Sequence, residues 1–245
     1  MDKLSDPNYY YNRELSWLLF NERILGEARD KNNPLFERLK FLSITASNLD
    51  EFFMIRVASL KDMENAGYKK QDLSGMAPKE QLEKISLATH KLVDLQYSTL
   101  MRSLIPLLAE EGIHLLTKHE MLNQAQKDYV DEYFMTNIYP VLTPMAVDSS
   151  RPFPLIRNKS LNIGAILSKK SGVRGLQPVN EGEKGKKKKG EKGKEDREFA
   201  TVQVPSGLPR MIVLPSEDDK TELILLEEVI ERNIDKLFLN YDIIC

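Results

Sequence analysis

One stretch of sequence decides the fold of the first part of this chain: Thr45-Ala46-Ser47-Asn48-Leu49-Asp50-Glu51-Phe52-Phe53-Met54-Ile55-Arg56-Val57. Ser47 and Asn48 are residue types that begin helices, and Glu51 follows Asn48 at the spacing of a capping box. A stripe of apolar residues then recurs at helical spacing: Leu49, Phe53, Val57 and Leu60. The stretch therefore predicts a helix that begins at residue 49, and the unpaired N–H groups of its first turn favour a bound anion or nucleotide.

Two helices are predicted before this stretch. The first covers residues 12–30 and turns one apolar stripe toward the core: Trp17, Phe20, Ile24 and Ala28. The second begins with Asn33 as its N-cap and Pro34 at its first position, where the fixed φ angle of proline suits a helix. Together with the helix at residue 49, they predict a helical bundle.

A long fourth helix completes the predicted bundle. The helix that begins at residue 49 ends near Gly67, and Pro78 opens the next helix after a polar loop. Pro106 should kink or end that helix, because proline cannot donate a helical hydrogen bond. Gly112 then closes the bundle, which we expect to occupy residues 1–112.

The second part of the chain mixes strands and helices. A short apolar strand is predicted at residues 113–116, and helices at about 120–137 and 227–238. Further strand-like segments are predicted at residues 161–167, 199–204, 211–214 and 224–226. This order indicates an α+β domain over residues 113–245, which we expect to be incomplete. The fold class is thus a helical bundle followed by a mixed α+β domain.

A lysine-rich segment, residues 181–197, interrupts the second domain. It contains no apolar residue and has more basic than acidic side chains. Such a segment cannot bury enough surface to offset the entropy lost on ordering, so it predicts a mobile insertion between two strands. Two interpretations stay open: a solvated loop, or a contact for a polyanion attracted to the clustered lysines.

Composition excludes several classes of protein. The net charge of −2 provides no global field for nucleic acid or for an acidic membrane surface. No apolar run reaches the roughly 18 residues needed to span a bilayer. The single cysteine, Cys245, excludes an internal disulfide and a cysteine-cluster metal site. Because no apolar signal core opens the chain, we expect a cytoplasmic protein.

Three long motifs around the opening stretch carry a resemblance to a known family. They are Asn12-Arg13-Glu14-Leu15-Ser16-Trp17-Leu18-Leu19-Phe20-Asn21-Glu22-Arg23-Ile24-Leu25, then Asn33-Pro34-Leu35-Phe36-Glu37-Arg38-Leu39-Lys40-Phe41-Leu42, and Tyr139-Pro140-Val141-Leu142-Thr143-Pro144-Met145-Ala146-Val147-Asp148-Ser149-Ser150-Arg151-Pro152-Phe153-Pro154. With the opening stretch, they resemble the N-terminal domain, and the entry into the second domain, of the long, histidine-phosphorylating type of polyphosphate kinase. Since members of that family continue with two further domains, the resemblance implies that this chain is truncated.

The resemblance implies an activity and one site residue. The activity is reversible transfer of the terminal phosphoryl group of ATP to polyphosphate, with magnesium, by a self-associating enzyme. The asparagine of the family motif Ser-Asn-Leu-Asp-Glu-Phe, here Asn48, is implied to touch ATP. An amide suits either a base edge or a phosphate oxygen. The residues alone also allow Asn48 to be a simple helix cap, and the two roles can coexist.

No catalytic or metal-binding residue is assigned within this chain. The resemblance places the phosphorylated histidine in a later domain, and His90, His114 and His119 do not lie in a comparable motif. None of the three has a second histidine or a cysteine at helical spacing. Asp50 and Glu51 diverge by about 100° on a helix, so they fit the helix dipole better than acid–base catalysis.

Charged neighbours of the motifs have simpler interpretations. Arg56 lies two turns beyond Asn48, and we expect it to be exposed or ion-paired rather than a phosphate ligand. The neighbouring pairs Arg13–Glu14 and Glu22–Arg23 are expected to be solvated or interdomain charges.

The sequence thus supports two functions from different classes. In the first, the chain is the N-terminal part of a polyphosphate kinase that contributes Asn48 to the ATP pocket. The catalytic histidine and the magnesium ligands lie elsewhere, and the chain is inactive alone. In the second, it is a non-catalytic helical module for interaction or oligomerisation. Phosphoryl-transfer assays distinguish the two.

Overall fold

Two compact units, Met1–Gly112 and Ile113–Cys245, make up the chain. The computed structural model describes residues 6–147, 153–170, 197–216 and 219–245. The predicted lysine-rich insertion lies outside the described residues except for Arg197. Within the described ranges, no helix is both long enough and apolar enough to cross a membrane.

The first helix, α1 (Arg13–Arg29), begins where the sequence predicts, because Asn12 caps it. The Oδ1 atom of Asn12 accepts hydrogen bonds from the N–H groups of Glu14 and Leu15, both at 3.0 Å. The predicted apolar stripe is wrong in detail, since Phe20 is exposed. The buried residues of α1 are Leu18, Asn21, Leu25 and Ala28. The apolar pattern missed this face because a polar residue, Asn21, stands within it.

The helix predicted to begin at residue 49 does not begin there. Instead, α2 (Leu35–Phe52) passes through Asn48 and continues, by way of a π-helical turn (Phe53–Val57), into α3 (Ala58–Asn65). Its buried face runs through all three segments: Leu42, Thr45, Phe52, Val57 and Leu60. Packing of this long face overrides the weak preference of serine and asparagine for helix ends. The predicted cap at Asn48 and the anion-binding helix end are therefore wrong.

The start of α2 differs from the prediction by one position. Pro34, rather than Asn33, is the N-cap residue. The Nδ2 atom of Asn33 instead donates to the backbone oxygen of Glu27 at 2.9 Å. At the other end, Gly67 follows α3 with a φ of +70°. Because a side chain is strained at such an angle, glycine ends the helix as predicted.

Pro106 does not end the fourth helix. From α4 (Pro78–Thr99) the chain continues through a π-helical turn (Leu100–Leu104) into α5 (Ile105–Glu110). The N–H of Ile105 donates to the carbonyl oxygen of Leu100, five residues earlier. This wider turn changes the hydrogen-bond register just before the proline, which has no N–H to donate.

A partly buried polar network joins the start of α1 to the start of α4. The Nδ2 atom of Asn12 donates to Asp72 Oδ2 at 2.8 Å and to Gln81 Oε1 at 3.0 Å. Gln81 in turn donates from Nε2 to the backbone oxygen of Met76 at 3.0 Å. These hydrogen bonds fix the loop before α4 to the N-cap residue of α1. The apolar core of the unit includes Leu25, Phe52, Ile85 and Leu104.

The second unit contains both predicted classes of element. Among its described residues there are seven strands: β1 (Ile113–Leu116), β2 (Met145–Val147), β3 (Asn162–Lys169), β4 (Arg197–Gln203), β5 (Met211–Val213), β6 (Thr221–Leu225) and β7 (Tyr241–Ile243). Strands were predicted at or overlapping β1, β3, β4, β5 and β6, but none was predicted at β2 or β7. The mixed α+β architecture is confirmed.

The strands form two sheets. The three-stranded sheet has the order β1-β6-β5, with β1 parallel and β5 antiparallel to β6. The four-stranded sheet has the order β2-β4-β3-β7 and is antiparallel throughout. Alternate residues of these strands enter one apolar core with helices α6 (Gln124–Tyr133) and α7 (Leu226–Arg232). The last predicted helix is thus shorter than expected, because it ends at Arg232.

Candidate functional site

Asn48 lies on the wall of a cleft in the first unit. The cleft has a volume of about 570 Å³, and α1, α2 and the segment that follows α2 contribute its lining. Six of the lining residues matter for its chemistry: Arg13, Glu14, Trp17, Asn48, Glu51 and Arg56. Asn48 is half-buried there, four residues before the end of α2. The predicted site residue therefore does line a concave surface, although its predicted helix end does not exist.

The amide of Asn48 is held by a second asparagine. Its Nδ2 atom donates to Oδ1 of Asn21 at 3.1 Å. Asn21 is fully buried and donates from its own Nδ2 to the backbone oxygen of Thr45 at 3.0 Å. In the described part of the chain, no donor reaches Oδ1 of Asn48. One N–H and the carbonyl oxygen of Asn48 therefore remain for a ligand.

An aromatic pair lies in the same cleft. The indole of Trp17 stacks on the ring of Phe52, with centroids 4.5 Å apart and planes inclined by 7°. Phe52 is 2% exposed and belongs to the core, whereas Trp17 is half-buried. The stack anchors the indole to the bundle, so that Trp17 forms a rigid apolar part of the cleft wall.

Charged residues of the cleft largely neutralise one another. Nη1 of Arg56 lies 3.0 Å from Oε2 of Glu14, and its guanidinium lies 6.0 Å from the centroid of the Trp17 ring. The expectation that Arg56 is exposed or ion-paired is confirmed. Of the two alternatives expected for Glu14, a solvated charge is wrong, because its side chain is only 15% exposed. Since Arg13 and Glu51 also line the cleft, its formal charges cancel.

Asp50 and Glu51 do not act as a pair. Glu51 lines the Asn48 cleft, whereas Asp50 lines a different cleft with residues of α4. Both side chains are exposed and lie in the last turn of α2 rather than at a helix start. The predicted interaction with a helix N-terminus is therefore wrong, but the predicted divergence of the two carboxylates is confirmed.

The histidines lie apart from this cleft. His90 is exposed on α4, with its Nδ1 atom 2.7 Å from the backbone oxygen of Ser86. In the second unit, His114 belongs to β1, and His119 contacts Glu228 with 3.4 Å between Nδ1 and Oε2. Among the residues that the structure describes, no group of three or more His, Cys, Asp or Glu side chains could hold a metal ion.

Comparisons with known proteins decide the family. Residues 10–116 match the polyphosphate kinase N-terminal domain, and residues 125–245 match the polyphosphate kinase middle domain. The chain belongs to the polyphosphate kinase family. This confirms the resemblance carried by the three motifs and by the stretch around Asn48.

Relatives and one solved structure agree with this assignment. The chain is 48% identical to a polyphosphate kinase of Bacillus anthracis over 98% of its length, and 41% identical to one of Synechocystis over 95%. A crystal structure of polyphosphate kinase from Porphyromonas gingivalis matches 96% of the chain with 29% identity and a TM-score of 0.76. The chain spans only 32% of the Bacillus anthracis protein and 31% of the crystallised one.

Sequence reasoning missed two residues that shape the Asn48 cleft: Trp17, which lines it, and Asn21, which holds Asn48. Trp17 was assigned to the core stripe of α1, and Asn21 was not noticed. A signal was present, because Asn21 stands at helical spacing between Leu18 and Leu25, where a soluble helix normally buries an apolar side chain. A polar residue in such a position needs a hydrogen-bond partner, which here is Asn48.

Proposed function

We propose that this chain is the N-terminal part of an ATP:polyphosphate phosphotransferase and that the Asn48 cleft is one wall of its ATP pocket. Membership of the polyphosphate kinase family supports the reaction. The observation that carries the site is the Asn48 amide, which donates a hydrogen bond to Asn21 and belongs to a residue that lines a concave, partly aromatic surface. A polar group held in this way is suited to a ligand rather than to packing.

The charge of the cleft limits which part of ATP it holds. A transferring phosphoryl group needs cations around it. Here the guanidinium of Arg56 is bonded to Glu14, and the charges of Arg13 and Glu51 cancel. We therefore assign the nucleoside of ATP to this cleft. The phosphates and the growing polyphosphate chain are assigned to parts of the enzyme beyond the length that this chain matches.

The magnesium ligands and the phosphorylated histidine are also assigned to parts of the enzyme outside this chain. The described residues contain no group of side chains suited to a metal ion, so no ligand of the expected magnesium is assigned to this chain. The phosphorylated histidine is likewise assigned outside it, and we propose that the 245-residue chain alone transfers no phosphoryl group. The complete enzyme is proposed to be a cytoplasmic homo-oligomer.

Kinetics of the complete enzyme test this function. Asn48→Ala removes the amide, and we expect it to raise the KM for ATP about tenfold, the loss of roughly one hydrogen bond to a ligand. The KM for polyphosphate should not change. Asn65→Ala is the matched control, because Asn65 is an exposed helical asparagine that does not line the cleft. An unchanged KM for ATP in Asn48→Ala, or turnover by the 245-residue chain alone, would contradict the proposal.

A second candidate is a non-catalytic interaction or oligomerisation module. It is favoured by large apolar side chains exposed on the first unit, among them Phe36, Ile55, Leu87 and Tyr97. This candidate requires the chain alone to associate at micromolar concentration, measured by sedimentation velocity. It also requires Asn48→Ala to leave ATP kinetics of the complete enzyme unchanged. The ATP-pocket proposal requires the opposite kinetic result.

A further inference from the structure

A cleft in the second unit differs from the Asn48 cleft in its charge. It has a volume of about 370 Å³ and lies between the turn that precedes β3 and the segment that follows β4. Three cationic side chains line it, those of Arg157, Lys159 and Arg210, and the described residues of its lining include no carboxylate. Since no acidic lining residue opposes these cations, this Lys159 cleft attracts an anion.

Two of the three cations are available to a ligand. Arg210 is bonded to Glu227, with 2.6 Å between Nη2 and Oε1. Within the described ranges, no carboxylate lies at ion-pair distance from Arg157 or from Lys159. The cleft therefore offers two positive charges that this part of the chain does not neutralise.

The backbone of Lys159 has an unusual conformation. Its φ angle is +57°, and no other non-glycine residue that the structure describes has a positive φ. Lys159 stands third in the turn of residues 157–160, in which the N–H of Ser160 donates to the backbone oxygen of Arg157 at 3.2 Å. Glycine or asparagine suits such a position, whereas lysine is strained there. Strain of this kind is common at functional sites, and here the strained residue supplies one of the two available charges.

The lining of the Lys159 cleft suits a phosphate group better than a carboxylate. A guanidinium can donate two parallel hydrogen bonds to phosphate oxygens, and an ammonium adds a second positive charge. The side chains of Asn158 and Ser206 also line the cleft and make no hydrogen bond within the described part of the chain. They can donate to the remaining oxygens of a phosphate. A carboxylate, with two oxygens and one charge, would leave part of this set unused.

We infer that the Lys159 cleft binds a phosphate group, with Arg157 and Lys159 as its cationic ligands. The inference goes beyond the proposed function, which concerns the Asn48 cleft and assigns the reacting phosphates to parts of the enzyme outside this chain. The group bound here is therefore one that does not react. It belongs either to inorganic phosphate or to a polyphosphate chain whose growing end lies elsewhere, and both present the same oxyanion.

Calorimetric titration of the 245-residue chain tests this inference. The probes are orthophosphate and tripolyphosphate, at physiological ionic strength so that salt screens unspecific attraction to other lysines. The Kd should rise about tenfold in Arg157→Gln and in Lys159→Asn, since each loses one charge-assisted hydrogen bond. Asparagine tolerates a positive φ, so Lys159→Asn preserves the turn. Lys159→Arg keeps the charge and should retain the affinity.

The control variant removes a charge outside the cleft. Lys118 is an exposed lysine of the same unit that does not line the cleft, so Lys118→Gln should leave the Kd unchanged. An equal rise in Lys118→Gln would show that net charge alone attracts the probes, and would overturn the inference. Equal Kd values in wild type, Arg157→Gln and Lys159→Asn would also overturn it, as would a wild-type chain that binds neither probe at millimolar concentration.

Lys159→Gly separates binding from folding. Glycine adopts a φ of +57° without strain, so the midpoint of thermal unfolding should not fall, while the affinity should fall as in Lys159→Asn. A lower midpoint with an unchanged Kd would show that Lys159 serves only the fold, and would overturn the inference.

The two probes also identify the source of the phosphate. Comparable affinities for orthophosphate and tripolyphosphate indicate a site for a single inorganic phosphate, whereas binding of tripolyphosphate alone indicates a site for a chain. Neither result bears on the KM for ATP in Asn48→Ala, so the inference and the proposed function can fail separately.

Discussion

Arg56 and Glu14 form an ion pair across the Asn48 cleft, with 3.0 Å between Nη1 and Oε2. The two residues are 42 positions apart in sequence, so the pair joins α1 to the π-helical turn that follows α2. Because the side chains are only 29% and 15% exposed, water screens this pair less than a surface pair. The carboxylate of Glu14 neutralises the guanidinium of Arg56, so this arginine does not provide an unpaired positive charge for a phosphate group in the cleft.

Removal of this pair should destabilise the first unit. For Arg56→Met we expect a loss of about 1 kcal/mol in the free energy of unfolding, since Glu14 keeps its charge without a partner. Trp17 is the single tryptophan, so its fluorescence during urea unfolding reports on the first unit.

Arg23→Met is the matched control for this change. The guanidinium of Arg23 also lies over an aromatic ring, 5.7 Å from the centroid of Phe20, but within the described residues it has no ion-pair partner. It should lose less than about 0.5 kcal/mol. Equal losses in both variants would show that the ring contact, and not the ion pair, provides the stability.

Phe52 should be far more important for stability than its neighbour Phe53. Phe52 is 2% exposed and stacks on Trp17, whereas Phe53 is 40% exposed. Phe52→Ala leaves a cavity and should cost about 3–5 kcal/mol, with a change in Trp17 emission. Phe53→Ala should cost less than about 1 kcal/mol. If Phe52→Ala does not fold, Phe52→Leu retains most of the volume and should still lower the urea midpoint more than Phe53→Ala.

Acid should weaken the loop that precedes α4 through Asp72. Burial raises the pKa of Asp72, but hydrogen bonds from Ser74, the N–H of Met76 and Asn12 outweigh it. The pKa therefore lies below its ordinary value of 3.8. Since the folded pKa is lowered, the carboxylate stabilises the fold above pH 3.8. This contribution is lost as the pH falls below 3.8 through the folded pKa.

Asp72→Asn should remove this dependence on pH. The variant should be less stable than wild type at pH 7, and the difference should vanish as the pH falls below 3.8. Trp17 fluorescence in urea at each pH measures it. Asp62→Asn is the control, because no hydrogen bond or ion pair reaches that carboxylate within the described part of the chain. A constant difference between Asp72→Asn and wild type at all pH values would contradict the account.

Two asparagines show what the sequence could and could not predict. Asn12 and Asn48 both precede apolar helical patterns, and both were predicted to begin a helix. Asn12 does so, but Asn48 lies within α2 because the buried face on either side of it is continuous. The preference of asparagine for the N-cap position is worth only about 1 kcal/mol. Packing against distant parts of the chain therefore decides whether the helix begins at the asparagine or continues through it. The helical bundle and most of the strands could be predicted from the periodicity of apolar residues alone, because that periodicity is a local property of the sequence.

The cleft could be predicted only in part for a similar reason. Asn48 was identified through resemblance, but Asn21 and Glu14 act through partners 27 and 42 positions away. No spacing rule within one helix relates such residues. Once α1 and α2 are packed together, however, a buried asparagine on α1 points directly to the amide that it holds.

A structure of the complete enzyme with a non-hydrolysable ATP analogue tests the central claim most directly. The quantity to measure is the distance from the Asn48 side chain to the nearest nucleotide atom. We expect a hydrogen bond of about 2.7–3.2 Å to the base, with Asn21 still accepting from Asn48 Nδ2. An Asn48 amide that faces open solvent, with the nucleotide bound elsewhere, would contradict the account.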